Sequence, residues 1–283
     1  MLSYQHAFHV GGPADVHKHA LLWALLGHLR AKEKPFVALD LYAGEGLYAL
    51  TRAEAQKIKE HERGIARLLA RSDLSPDLAA YVDTVRGFDP SMLSLYPGSP
   101  ALLRAAMRPQ DRLIFNELHP AASTALRAWV ADDPQIVIHR RDASEAIDGL
   151  LPPTIRRGLL LIDPSYELKG EYEKVANDVV RAVARWPEGI VAVWFPLLAD
   201  NRHEPLLAGL KDITAPTLIS QLDFHNQGLP DVPARGLRGT GLIVINPPWQ
   251  FDKAARNIGD ALAPILGDGP KAKHVLRWLV PER

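Results

Sequence analysis

Cysteine is absent from the 283 residues, which removes disulfides, thiolate metal sites and cysteine nucleophiles from consideration. No apolar run is long enough to cross a bilayer; the longest, Leu21–Leu29, is interrupted by Gly27 and His28. The N-terminus, Met1-Leu-Ser-Tyr-Gln-His6, lacks the basic stretch and apolar run of a secretory signal, so the chain reads as cytoplasmic. A surplus of either charge is missing too. The 33 Lys and Arg stand against 33 Asp and Glu, a balance that predicts no polyanionic partner. Basic residues still cluster locally, at Lys57, Lys59, Arg63, Arg67 and Arg71, at Arg140 and Arg141, at Arg156 and Arg157, and at Arg235 and Arg238. Solvated helix faces and loop ends account for each cluster taken alone. No GKS or GKT sequence is present, which excludes a phosphate-cradling P-loop.

With 47% hydrophobic residues, the chain can bury a full sheet in a single domain, 1–283. A helix is expected from about Ala14 to Lys32, with Leu22, Leu25, Leu26 and Leu29 on one stripe and Gly12 and Pro13 at its start. Short apolar runs follow at Pro35–Leu41, Arg112–Leu118, Gln135–His139, Gly158–Ile162, Gly189–Phe195, Leu218–Phe224 and Gly241–Ile245. Several are continuous rather than alternating, as in strands covered on both faces. Their alternation with helical segments predicts a doubly wound, mainly parallel α/β sheet. Two helical stretches, Thr51–Arg71 and Ser75–Arg86, break that rhythm and predict a helical insertion at about 52–98. Ser99 and Pro100 suit the N-cap and first turn of the helix that follows.

Asp40-Leu-Tyr-Ala-Gly-Glu-Gly46 lies where the first strand ends. Gly44 and Gly46 allow a sharp turn and a close ligand approach. The third glycine of the dinucleotide fingerprint is missing, since Ala49 follows Tyr48. Alone, this is equally a plain strand–helix turn. Carboxylates recur, however, at later strand ends: Glu117 closes the second strand and Asp142 follows the third. Either could serve only as a helix cap. Together with the glycine turn they favour S-adenosylmethionine, whose ribose wants acceptors and whose sulfonium wants little positive charge nearby.

The most informative stretch is Gly158-Leu-Leu-Leu-Ile-Asp-Pro-Ser-Tyr166. The exocyclic amine of adenine is a poor nucleophile, because its lone pair is delocalised into the ring. Donating its two N–H groups to the Asp163 carboxylate and the Pro164 carbonyl would favour a pyramidal nitrogen and free that pair. Tyr166 would stack on a base drawn out of its helix, leaving mainly orientation to be supplied. The alternative is a proline-stiffened turn with Tyr166 in the core. Asn246-Pro-Pro-Trp249 is a competing copy, placed after two further strands and so expected toward a sheet edge; Asp163, expected beside the first strand, is favoured.

Tyr4, His6, His9, His17 and His19 crowd the N-terminal segment 1–32, with Asp15 and Lys18 among them. A metal site has no support from Cys or HExxH. Surface histidines and a substrate lid, with Asp15, Lys18, His19 and Leu22 on one helical face, both remain open.

The chain resembles the RlmJ family of bacterial 23S rRNA adenine-N6 methyltransferases. The match is carried by Leu2-Ser-Tyr-x-His-x-Phe-His9, Ala14-Asp-Val-x-Lys-His19, Tyr96-Pro-Gly-Ser-Pro100, Glu117-Leu-His-Pro120, Leu161-Ile-Asp-Pro164 and Ile243-Val-Ile-Asn-Pro-Pro-Trp249. The resemblance implies a class I S-adenosylmethionine-dependent methyltransferase: a Rossmann-like, seven-stranded, mainly parallel sheet with a helical insertion, monomeric. It implies that Asp163 is catalytic, that Tyr4 contacts RNA, and that His6 and Lys18 serve the site. It also implies that His19, Tyr42, Ser99, Glu117, Asp142, Ala143 and Asp163 line the cofactor pocket, and that the substrate is naked or partly assembled ribosomal RNA, with no membrane and no metal. Three positions depart from the family: Tyr42 stands for His, Ala143 for Gly and Ser165 for Pro. The last frees Pro164 from the restriction a following proline imposes. Methylation of a glutamine or asparagine amide in a protein, or RNA binding without turnover, are the competing expectations.

Overall fold

Strand β1 (Val37–Asp40) is buried at every residue, as a strand covered on both faces must be. Its side chains alternate, Ala38 entering one apolar cluster and Val37 and Leu39 another. The computed structural model describes residues 8–90, 94–168, 170–224, 237–267 and 272–282. After β1 come β2 (Leu47–Ala49), β3 (Leu95–Pro97), β4 (Arg112–Asn116), β5 (Ile136–His139) and β6 (Gly158–Ile162). They are followed by β7 (Ile190–Leu198), β8 (Thr217–Asp223), β9 (Leu237–Ile245) and β10 (Lys273–Val280).

Eight of these form one sheet in the order β10-β8-β9-β7-β6-β1-β4-β5, and β2 pairs with β3 in a separate hairpin. The pairs β1–β4, β1–β6, β4–β5 and β6–β7 are parallel. β9 runs antiparallel to both β7 and β8. The seven expected strands are therefore present in a class I order. An unexpected eighth, β10, extends the β8 edge antiparallel; its alternating burial is that of a half-covered edge strand rather than of a continuous apolar run.

Helix Pro13–Arg30 is buried along most of its length, because it lies between the sheet, the insertion and helix Phe251–Leu266. That explains its many apolar positions. The expected helix Thr51–Arg71 is instead three short pieces, Ala53–Ile58, Glu60–Arg63 and Ile65–Leu69. Lys59, at φ 56°, breaks the first junction, and Gly64 breaks the second. At Gly64 the chain packs so close to Gly11 and Gly12 that a Cβ would overlap the Gly11 carbonyl oxygen. Among the described residues no helix is long and apolar enough to cross a membrane.

Candidate active site

In the sheet, Asp40 is level with Phe115 on one side and Leu161 on the other. Continuing two residues beyond these aligned positions sets Tyr42, Glu117 and Asp163 in a row across adjacent strands. All three line one cleft of about 1180 Å³, which also takes in Gly44, Ser99 and Asp142. Asp163 and the glycine bend thus face the same open space. Asn246 does not. β9 sits inside the sheet, not at its edge, and its antiparallel run brings Ile245 opposite Val191 at the start of β7. Asn246 therefore lies at the far end from Asp163, where its side chain donates to the carbonyls of Pro187 (2.7 Å) and Gly189 (2.9 Å). The duplicated motif is resolved by strand direction.

The glycine turn is held by Glu117. One carboxylate oxygen accepts from the Gly44 amide (2.7 Å) and the other from the His119 amide (2.7 Å). Each oxygen keeps a second lone pair for a ligand. Gly44 and Gly46 have φ of 66° and 86°, a region open mainly to glycine. A Cβ at Gly44 would overlap the Tyr48 hydroxyl, and one at Gly46 would fall 2.7 Å from the Trp129 ring. The glycines therefore serve the turn and its packing; a close ligand approach is not what these missing side chains make room for.

Ser99 is the first residue of helix Ser99–Ala106, whose N-cap is Gly98. The expected capping role is wrong, because the Ser99 hydroxyl donates to Asp40 instead, at 2.6 Å. Asp40 is a residue the sequence reading passed over. It is fully buried, and burial pushes its carboxyl up to about 7, against bonds from Ser99 and the Tyr42 amide. Asp142 caps helix Ala143–Leu150 through the Ser144 amide (2.8 Å) and meets Lys174 at 3.4 Å. Burial alone would raise its carboxyl, and these partners outweigh that, holding it below the usual range. Ala143, beside it, is buried and lines the cleft. His19 is buried, with its ring nitrogen 2.9 Å from the Tyr96 hydroxyl, which in turn meets Tyr81 at 2.8 Å.

Lys18 reaches across from the N-terminal helix to Asp163, at 2.5 Å, while holding Asp15 at 2.9 Å. Its side chain is only 4% exposed, against 14% for Asp163. Burial opposes its charge, but the two carboxylates outweigh burial and keep the ammonium protonated beyond the ordinary lysine range. Residues 17 and 19 are buried as well, which removes the surface-histidine reading for this helix. His17 meets Ser220 at 2.9 Å, and burial pushes its imidazole down to about 3. Tyr4 and His6 lie outside the described residues. Among the described residues, no three metal-ligating side chains gather.

Tyr166 was expected to stack on a base. Its φ of 55° turns it back into the core, where its hydroxyl donates to the Trp194 carbonyl (2.7 Å) and its ring stacks on Tyr172 at 4.4 Å. It forms cleft wall rather than a free-standing platform. Trp194, half-buried on β7, presents a further aromatic surface that the sequence reading missed; Lys18 Nζ sits 5.7 Å from its ring. The insertion's basic cluster is largely spoken for. Lys59 pairs with Glu62, Arg71 with Asp73, and Arg67 donates to the Ile265 carbonyl. Exposed pairs of this kind contribute little energy.

A family model described as ribosomal RNA large subunit methyltransferase D, RlmJ, matches residues 33–280. The chain is 36% identical over 283 residues to ribosomal RNA large subunit methyltransferase J of Escherichia coli (strain K12), covering 100% of both chains. It is 35% identical over 284 residues to the protein of that name from Haemophilus influenzae, again covering 100% of both. Among solved structures, protein LPL1258 from Legionella pneumophila is similar at TM-score 0.85 and 30% identity, over 95% of this chain and 98% of that one.

Proposed function

The chain belongs to the RlmJ family of ribosomal RNA large subunit methyltransferases, and from that premise we propose that it methylates the N6 amine of one adenine in 23S ribosomal RNA, using S-adenosylmethionine. The carrying observation is the placement of Asp163 and Pro164 in one cleft with the glycine bend, the Asp163 carboxylate being anchored by the buried Lys18.

The lining suits an adenosyl group. Glu117 and Asp142 offer acceptors for ribose and base, and Gly44 begins the turn beneath them. His19, Tyr42, Ser99 and Ala143 complete that end. When bound, the cofactor supplies a methyl group on a positively charged sulfur. The protein's task is to present the amine to it. Lys18 takes one oxygen of Asp163 and leaves the other to accept an N–H of adenine, while the Pro164 carbonyl takes the second N–H. The same ammonium holds the Asp163 carboxylate in place through a charge-assisted hydrogen bond. Tyr166 and Trp194 form the wall against which a base drawn out of its stack would lie. Ser165 leaves both acceptors in place. Tyr4 contacts the RNA and His6 serves the site. The overall charge balance fits an acceptor gripped mainly at one extruded base, in naked or partly assembled RNA and by a single copy of the protein.

Purified protein incubated with labelled cofactor is expected to label protein-free 23S RNA at adenine N6 and to leave ribosomal proteins unlabelled. Label in a glutamine or asparagine side chain, with none in RNA, would overturn the proposal.

A further inference from the structure

The N-terminal helix starts in a contact of three glycines. A Cβ on Gly64 would fall 2.6 Å from the Gly12 carbonyl carbon, and one on Gly12 would fall 2.7 Å from Glu60. No side chain fits at either place. The Gly11 carbonyl accepts from the Ile65 amide at 2.9 Å, and His9 meets Glu60 at 2.9 Å. Insertion and helix start are thus joined backbone to backbone. From there the contacts run inward. The Gly11 amide donates to one oxygen of Asp15 at 3.0 Å, and the other oxygen holds Lys18 at 2.9 Å. Lys18 holds Asp163. Asp15 and Lys18 are both about 4% exposed at the side chain, so water has little access to this path.

We propose that Asp15 is a positioning residue for the acceptor carboxylate, and that the helical insertion sets its place through the chain Gly64, Gly11, Asp15, Lys18, Asp163. This deepens the adenine-methylation reading and rests on it. A lysine side chain is flexible and carries a point charge, so one ion pair fixes its nitrogen poorly. Two carboxylates from opposite sides fix it in place. Asp15 also shares the ammonium's charge, which leaves Asp163 more of its own for the amine. Because each link is a backbone contact, a buried amide-to-carboxylate hydrogen bond or an ion pair of the buried Lys18, a shift of the insertion is passed on to Asp163 instead of being absorbed by solvent.

Asp15→Asn keeps the size of the side chain and an acceptor for the Gly11 amide while removing the charge that faces Lys18. With labelled cofactor and 23S RNA, kcat is expected to fall roughly 10- to 100-fold, the effect of losing the one charge-assisted contact that fixes Lys18 against Asp163. Cofactor Kd is expected to hold, while the melting temperature falls with the loss of the buried pair. Gly64→Ala is expected to lower kcat in the wild-type background and to have no further effect in Asp15→Asn, since both act through one path. Should Gly64→Ala fail to fold, Glu60→Gln, which weakens the His9 tether from the same insertion, replaces it in the cycle. Additive losses, a wild-type kcat for Asp15→Asn, or a loss of cofactor affinity matching the loss of kcat would each overturn the proposal. Failure of the wild-type protein to methylate adenine would instead strike the reading of the cleft, and the proposal would fall with it.

Discussion

Replacing Lys18 by methionine should make methyl transfer and stability respond to pH in opposite directions. In the wild type the ammonium stays protonated beyond the ordinary lysine range. Its stabilising contribution is therefore constant through neutral pH and is lost only as pH rises toward that raised value. Methionine keeps the length and removes the charge, leaving Asp15 and Asp163 facing one another where both had reached the same nitrogen. At roughly 5 Å and an effective dielectric near 20, two such charges repel by about 3 kcal/mol, about a hundredfold in proton affinity. Breaking a buried pair costs about 3 to 5 kcal/mol. The variant relieves this by taking up a proton, so it is more stable near about pH 5 than near about pH 8. Its transfer rate runs the other way, because Asp163 must be charged to accept from the amine. Thermal melting and single-turnover transfer of labelled methyl, each measured across that range, test this. A wild-type rate, or a melting temperature no more pH-sensitive than the wild type's, would refute the reasoning.

Asp40 gives a second pH signature. Its carboxyl is pushed up to about 7 by burial, so the wild type loses stability as pH climbs from the ordinary carboxylate range through 7, by roughly 4 kcal/mol at most. Asp40→Asn keeps an acceptor for Ser99 and should flatten that slope in urea unfolding between about pH 5 and about pH 8; an unchanged slope would show another group responsible. Asn246→Ala removes the bonds to Pro187 and Gly189 and should cost about 1 to 3 kcal/mol in the same unfolding assay. Its kcat should be that of the wild type, since the residue sits at the opposite end of the sheet from Asp163; a large loss of turnover would contradict that placement.

The strands that carry the site were legible because they are short, continuous apolar runs ending in acids, and β6 followed by Asp163 matched residue for residue. β10 was not, because Lys273-His-Val-Leu-Arg-Trp-Leu-Val280 alternates in burial as an edge strand does and follows the last continuous run. Both breaks in the insertion helix were missed: Gly64 was read through as part of Thr51–Arg71, and Lys59 at φ 56° carries no sequence mark. The direction of β9, which decides between Asp163 and Asn246, is a property of pairing and not of local sequence. The contact between Lys18 and Asp163 spans 145 positions, so spacing could bring Lys18 to the helix face and no further. Tyr166 and Ser99 were assigned sound local roles that tertiary contacts then redirected, to Tyr172 and to Asp40.

The role of Asp163 is tested most directly by mass spectrometry of 23S ribosomal RNA from host cells lacking the protein, complemented with either the wild type or Asp163→Ala. One N6-methyladenosine should disappear on deletion and return with the wild type alone. Its persistence after deletion, or its return with Asp163→Ala, would contradict the account.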